Sequence, residues 1–473
     1  MTLGYKSNII GLCNFLGVHT VRGGFMDKRY NKTLKPVQII VLGFATTILF
    51  GTMLLMLPIS TYEVAHASFI DALFTATSAV CVTGLVVVDT GTYWSSTGQV
   101  IILLLIQIGG LGFMTMATSV AILLGKKIGL KNRLIMQEAL NQFSIAGVIR
   151  LTRYVIFTTL FIEAVGAALL SIRFIPEFGL KKGTFFSIFH SISAFCNAGF
   201  DVMGGGKSLM AYTQDPVVTL VIVMLVILGG LGFAVIADLL RTPQVNKFSL
   251  HSKLVIFMTT TLLLTGFFLV LFLEYDNPET LGNLSMKGKI LGALFHSVTP
   301  RTAGFNTLDM NGLRLPTVFI TMFYMFIGGS PGSTAGGIKT TTFGMVVLKV
   351  IAVVRGDDDV EFANRRIARD TINRALAIVF IAAFIVIFVV FALSITETGA
   401  TFKVIFFEAV SAFGTVGLSL GLTPHLTLVG KIIISAAMFF GRLGPLTIVL
   451  AISNRKNNYK KLVRYPEGKV IVG

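Results

Sequence analysis

Long apolar runs alternate with shorter, half-apolar segments along this chain, and the alternation recurs. Runs at 36–58, 150–172, 252–274 and 371–396 carry almost no charge, and helices of about 20 such residues cross a bilayer core. Each is followed by a shorter segment, such as FIDALFTATSAV or FFSIFHSISAF. At roughly 10–14 residues these are too short to cross and have the length of a re-entrant helix. A second long run comes after each, at 97–124, 216–240, 315–348 and 427–453. The pattern predicts an all-α polytopic membrane protein in which the unit span, re-entrant helix, extended loop, span occurs four times. That gives eight transmembrane helices around one central pore. The repeats occupy 36–125, 150–240, 252–352 and 371–454, with an arm at 1–35 and a tail at 455–473.

The loops that close the short segments align without gaps on a glycine. SAVCVTGL (Ser78 to Leu85), SAFCNAGF (Ser193 to Phe200), VTPRTAGF (Val298 to Phe305) and SAFGTVGL (Ser411 to Leu418) superpose Gly84, Gly199, Gly304 and Gly417, which lie 115, 105 and 113 residues apart. Irregular backbone at membrane depth is tolerated where it is buried in protein or lines a watery cavity. Four such loops satisfy that condition together by converging on one axis. A helix entering from outside aims its partially negative C-terminus at the membrane centre. The extended residues beyond it present carbonyls that replace an ion's hydration shell, and glycine lets the backbone adopt the turn and the ion approach closely.

The candidate cation filter is therefore Val82, Thr83 and Gly84; Asn197, Ala198 and Gly199; Thr302, Ala303 and Gly304; and Thr415, Val416 and Gly417. One isolated glycine would read as a helix-packing residue; four in one context favour the filter. Val82 and Asn197 differ from the threonines at the matched position, so the ring is not chemically fourfold. Arg301 reads as an ion-pair or backbone clamp behind the filter, because a cation on the ion path would oppose permeation.

Two features interrupt the second runs. FIGGSPGSTAGGIKTTT, Phe326 to Thr342, sets glycines, a proline and hydroxyls inside an apolar run, so a helix there breaks and its freed carbonyls face protein or a cavity. Gly328, Gly329, Ser330, Pro331, Gly332, Ser333, Thr334, Ala335, Gly336, Gly337 and Lys339 form a candidate gate; a fixed kink is the plainer alternative. Lys339 either snorkels to the cytoplasmic surface or pairs with an acid. FFGRLGPLT puts Arg442 inside an apolar stretch, where a charge is by default functional. It serves as an electrostatic barrier or anchor at the pore mouth, or pairs with Glu408, Glu163 or loop carbonyls.

Composition narrows the function classes. Of 473 residues 54% are hydrophobic and 13% charged, against about 25% charged in soluble proteins, and the mean hydropathy is +0.82. A net charge of +17 would suit nucleic acid, yet its placement argues otherwise. Of the 39 Lys and Arg residues, 27 fall in five segments that share one side of the membrane: Lys6 to Lys35, Lys126 to Arg153, Arg241 to Lys253, Lys349 to Arg374 and Arg455 to Lys469. This is the positive-inside pattern and puts both termini in the cytoplasm. Cys13, Cys81 and Cys196 give no disulfide framework. The first apolar run is too long for a signal peptide. The six histidines contain no pair at metal-ligand spacing within a helix, which argues against a metalloenzyme; His190 and His296 occupy near-matched places ahead of their glycines and suit a structural role. A carrier with alternating access would call for two paired broken helices, and the sequence displays one strongly broken run.

These features resemble the Trk/Ktr/HKT superfamily of potassium transporters: four span–loop–span repeats, the stretches TGL, NAGF, RTAGF and TVGL, the interrupted GGSPGSTAGGIKTTT, and GRLGPLT. The likeness covers about residues 30 to 455. With one span ahead of the first filter, the chain looks like a bacterial KtrB-type subunit of the plasma membrane. The resemblance implies K⁺ conduction past Gly84, Gly199, Gly304 and Gly417, with Gly84 favouring K⁺ over Na⁺. It also implies gating by the loop from about Gly328 to Lys339 and an arginine, Arg442, below the filter. It further implies a homodimer on a cytosolic ring of KtrA-type nucleotide-binding subunits. No organic cofactor is implied; K⁺ is the cargo, and Na⁺ acts as stimulator, co-ion or, in the alternative reading, transported ion.

Overall fold

A computed structural model describes residues 36–62, 67–112, 148–241 and 244–444, together with 115, 116, 134, 135, 137 and 447. The arm, the tail, most of the loop from Lys126 to Arg153 and the far ends of the first and fourth second runs lie outside the described residues.

The apolar runs form helices. α1 (Pro36–Leu55) is followed by short α2 (Phe69–Cys81) and by α3 (Ser96–Leu111). The order then recurs as α4 (Val148–Phe178), α5 (Leu180–Phe195) and α6 (Pro216–Leu231) with α7 (Phe233–Arg241). Next come α8 (Leu250–Glu274), α9 (Met286–Val298), α10 (Leu315–Phe326) and α11 (Thr340–Arg355). The last set is α12 (Arg369–Thr396), α13 (Phe402–Gly414) and α14 (Leu428–Leu443). This is an all-α polytopic membrane fold in which, among the described residues, four helices are long and apolar enough to span, α1, α4, α8 and α12, and one pair, α6 with α7, is bent. The long helices turn Phe50, Phe157, Phe272 and Phe380 outward, as lipid-facing positions demand. A two-residue ladder, β1 (Glu361–Phe362) with β2 (Arg365–Arg366), adds the only sheet among the described residues. Its turn, Ala363 and Asn364, is left-handed at both positions, which suits the twist of a tight hairpin.

Hydrogen bonds set where helices start. Ser68, Ser95, Ser249, Ser285 and Thr427 hydroxyls and the Asp215 carboxylate accept from amides of the first turn, satisfying donors that have no intrahelical partner. Fully buried Glu274, at the end of α8, accepts from the Arg314 amide at 3.0 Å and from Asn277, Thr280 and Thr317. Glu397, just past α12, accepts from the Thr427 amide at 3.2 Å and its hydroxyl at 2.6 Å. In both sets a carboxylate at the top of the long helix holds the start of the second helix.

Packing closes the sets into a ring. Each long helix packs on its own short helix, and each second helix packs on the short helix of the following set: α3 on α5, α6 on α9, α10 on α13 and α14 on α2. Glycines permit the close crossings. At Gly109, Gly229 and Gly441 a Cβ would overlap the carbonyl oxygens of Val80, Phe195 and Phe413, each near the end of a short helix.

The structure corrects the expectation of a single broken run. α6 stops at Gly232 (φ 92°) and turns by 101° into α7, while α3 and α14 end at Gly112 (φ 82°) and Gly444 (φ 83°). With ψ of 133°, 139° and 139° at Gly112, Gly232 and Gly444, the chain leaves each helix through a positive-φ extended conformation that glycine adopts far more readily than other residues. The argument against a carrier from one broken run therefore falls. The signal was in the sequence as IGGLGF (108–113), LGGLGF (228–233) and FGRLGP (440–445), hidden in the first two because their residues are apolar or small.

Gly229→Ala should destabilise the fold by about 1–3 kcal/mol through overpacking, lowering the melting temperature in detergent. Gly230→Ala, whose Cβ would meet nothing closer than 3.6 Å, should leave it unchanged. Equal melting temperatures for both would show that the crossing gives way freely.

Candidate functional site

The four glycine loops meet at one place. A Cβ built at Gly84, Gly199, Gly304 or Gly417 would come within 2.7 Å of the carbonyl oxygen of Ala198, Ala303, Val416 or Thr83 respectively. Each glycine thus abuts the middle residue of the next loop, and the fourth abuts the first. All twelve residues singled out in the sequence lie in this ring.

The backbone alternates. Val82, Asn197, Thr302 and Thr415 have φ of 56°, 57°, 68° and 51°, and the glycines two places on have φ of 87°, 69°, 79° and 95°, while the middle residues are not left-handed. Such alternation turns successive carbonyls toward the same side. A left-handed non-glycine costs about 1–3 kcal/mol and persists when its surroundings enforce it. The enforcement comes from the short helices. Their last turns bind the amides of Thr83, Ala198 and Val416 at 2.8–2.9 Å, through the Ser78, Ser193 and Ser411 carbonyls. The Ser78 and Ser411 hydroxyls accept from the Gly84 and Gly417 amides at 3.1 and 3.2 Å. The Ser193 hydroxyl donates to the Phe200 carbonyl at 2.7 Å, and that of Thr299 donates to Phe305. The recurring serine of the motif is therefore a pin for the loop. Leu85, Phe200, Phe305 and Leu418 are buried behind it.

Above the ring opens a cavity of about 280 Å³, lined by all four glycines and by Asp89, Asp201 and Asp309, with no basic side chain among the described residues that line it. Burial and then the nearby Asp89 carboxylate push Asp201 up to about 6.

The interrupted segment lies on the opposite side of the ring from this cavity. It begins and ends in contact with itself, the Gly328 amide donating to Ile338 at 2.8 Å and that of Thr340 to Gly329 at 3.0 Å. The open end of α6 holds it, since the Gly230 and Gly229 carbonyls, orphaned where the helix stops, accept from the Ser330 and Thr334 amides at 2.9 and 3.2 Å. The Phe233 amide returns a bond to Gly332 at 3.0 Å. Gly336 lies so close to Thr415 that a Cβ would overlap its side chain. Lys339 is half-buried and its ammonium donates to the Ala335 carbonyl at 2.7 Å, with no acidic partner among the described residues.

Arg442 stands where the matched motifs have Gly110 and Gly230. Of the partners considered for it, the structure gives it carbonyls: Thr334 and Gly109, and Gly110 at 3.1 Å. It joins the end of α3 to the interrupted segment from α14, and a cation is favoured at the α3 C-terminus. Glu163 instead accepts from Gln107 at 3.1 Å, and Glu408 from Ser419 at 3.0 Å and from Thr423. Arg301 has no acidic partner among the described residues; it is buried and reaches Thr259 at 3.5 Å. His190 and His296 are buried, bound to the Phe186 carbonyl at 2.8 Å and the Thr321 hydroxyl at 3.0 Å. Sequence reasoning missed the helix-end carbonyls of Gly109, Gly110, Gly229 and Gly230, which the recurring GGLG would have marked.

Comparison with known proteins agrees in one direction. The family described as "TrkH: Cation transport protein" matches residues 28–461. The Ktr system potassium uptake protein B of Bacillus subtilis is 49% identical over 93% of this chain and 97% of its own. The potassium/sodium uptake protein NtpJ of Enterococcus hirae is 44% identical over 95% and 99%. The crystal structure of the potassium transporter TrkH from Vibrio parahaemolyticus shares the fold, with a TM-score of 0.70 at 19% identity, over 94% of this chain and 89% of that one.

Arg442→Ala should free the segment it holds. Amide hydrogen exchange at 328–339 should quicken at least about tenfold, the worth of a charge-assisted hydrogen bond or more. Unchanged exchange would mean that the end of α6 seats the segment without the arginine.

Proposed function

The chain belongs to the TrkH family of cation transport proteins, and from that premise we propose that it is the ion-translocating membrane subunit of a K⁺ uptake system. The observation that carries this reading is the closed ring in which each glycine abuts the middle carbonyl of the next loop. Carbonyls turned to one side at Thr83, Ala198, Ala303 and Val416 replace water around a dehydrated cation. The C-termini of α2, α5, α9 and α13 add partial negative charge, and the acidic cavity gathers cations at the mouth. On this reading the twelve ring residues are the selectivity filter, and the four helix sets are four repeats with eight crossings and cytoplasmic termini.

Gly328 through Gly337 with Lys339 form the gate. Seated, this segment blocks the route from the ring, and Arg442 holds it there; release opens the path. The family resemblance extends the proposal to a homodimer on a cytosolic ring of KtrA-type nucleotide-binding subunits, with the basic cytoplasmic segments as docking surfaces. The subunit transports and does not catalyse, moving K⁺ inward down its electrochemical gradient with Na⁺ as stimulator. A mixed Na⁺/K⁺ pathway is the second reading, favoured by the unequal loops and by the printed name of the Enterococcus relative.

Rubidium uptake into K⁺-loaded liposomes holding the purified protein tests both readings. External K⁺ should compete and Na⁺ should not, Gly84→Ser should weaken that preference, and deletion of residues 328–337 should speed the flux. Equal competition by Na⁺ in the unaltered protein would select the mixed pathway, and folded protein without flux even after the deletion would overturn the pore assignment.

Asp201→Asn should raise the Rb⁺ concentration for half-maximal uptake severalfold at low ionic strength, and less at 0.15 M, where screening acts within about 8 Å. A salt-independent change would place Asp201 in the fold of the loop and remove it from ion attraction.

A further inference from the structure

Asn197 breaks the threonine pattern of the ring, and its side chain explains the exception. The amide is buried, and its residue adopts the left-handed backbone that asparagine tolerates better than most. Its Nδ2 donates at 3.4 Å to both the Arg301 carbonyl and the Thr302 hydroxyl, across the seam between the second and third loops. Its Oδ1 accepts from the Thr334 hydroxyl at 3.1 Å. One side chain therefore touches two quarters of the ring and the interrupted segment.

Thr334 occupies the matching position on the segment. Its amide is bound to Gly229 and its carbonyl to Arg442, and the single proton of its hydroxyl is shared among the Phe195 and Gly229 carbonyls at 3.0 Å and Asn197 Oδ1 at 3.1 Å. Among the described residues no other donor reaches Asn197 Oδ1. If Thr334 leaves, a buried amide oxygen loses its partner, which is costly, and the amide must turn to find another. Turning breaks its bonds to Arg301 and Thr302, one residue from the place where Gly199 abuts the Ala303 carbonyl.

We propose that Asn197 is a positioning residue through which the seated segment sets the width of the ring, so that preference for K⁺ over Na⁺ depends on the contact between Asn197 and Thr334. The inference rests on the filter-and-gate reading above. Gate and filter are then one mechanical unit, and ion preference relaxes when the segment withdraws.

The test uses Thr334→Val, which keeps shape and removes the hydroxyl, Thr334→Ser, which keeps the hydroxyl, Asn197→Ala, and the double variant Asn197→Ala with Thr334→Val. The ratio of Na⁺ to K⁺ inhibition constants against Rb⁺ uptake should fall about tenfold in Thr334→Val and in Asn197→Ala, the worth of roughly one hydrogen bond. It should stay within about twofold of wild type in Thr334→Ser, and the double variant should fall no further than either single one, as coupled sites behave. Where a variant carries no flux, the rise in melting temperature with K⁺ compared with Na⁺ in detergent gives the same preference. An unchanged preference in Thr334→Val, an equal loss in Thr334→Ser, or losses that multiply in the double variant would overturn the coupling. Wild-type protein without K⁺ preference would instead overturn the filter reading on which it rests.

Discussion

Backbone carbonyls without partners at membrane depth organise this protein. A helix that stops inside a bilayer leaves its last carbonyls unpaired, and hydrocarbon offers them nothing. Here the stops are many, and each set of freed groups has an assigned neighbour. The end of α6 binds the interrupted segment, the end of α3 binds Arg442, and the ends of α2, α5, α9 and α13 run into the loops that close the ring. The same shortage of partners that would destabilise a lipid-facing helix supplies the chemistry of the centre.

The ring is prepared in advance. Left-handed backbone at four non-glycine positions is unfavourable in isolation, and serine pins, buried Leu and Phe anchors and the last turns of the short helices hold it. On the proposed filter reading, an ion that enters would find oxygens already turned, so less ordering would be left for it to drive. Outside the ring, Glu274 and Glu397 fix the starts of α10 and α14, and α14 carries the close crossing at Gly441.

The sequence made the ring legible because its signal repeats: Gly84, Gly199, Gly304 and Gly417 sit in matched contexts, and repetition lifts a weak motif above chance. The interrupted segment was legible because Pro331 and its glycines cannot continue a lipid-facing helix. The break at Gly232 was harder to see. Its surroundings are as apolar as any span, and its bend is fixed by a partner far along the chain, the Gly332 carbonyl that accepts from Phe233. Arg442 was visible as a charge in the wrong place, yet its acceptors lie 108 and 332 residues away, beyond anything a local pattern encodes. Asn197 looked like a flaw in the threonine pattern, since a hydrogen bond across loops leaves no trace in spacing.

Because the four quarters of the ring are covalently continuous and unequal, its stoichiometry is settled during synthesis of one polypeptide. Assembly from separate copies would let altered and unaltered quarters mix within a single pore, and any change would appear four times over. Here a lesion at Gly304 touches one quarter alone and is carried whole by every ring the altered allele encodes, with no dilution by an unaltered copy. Within a pore, alleles of this gene cannot blend.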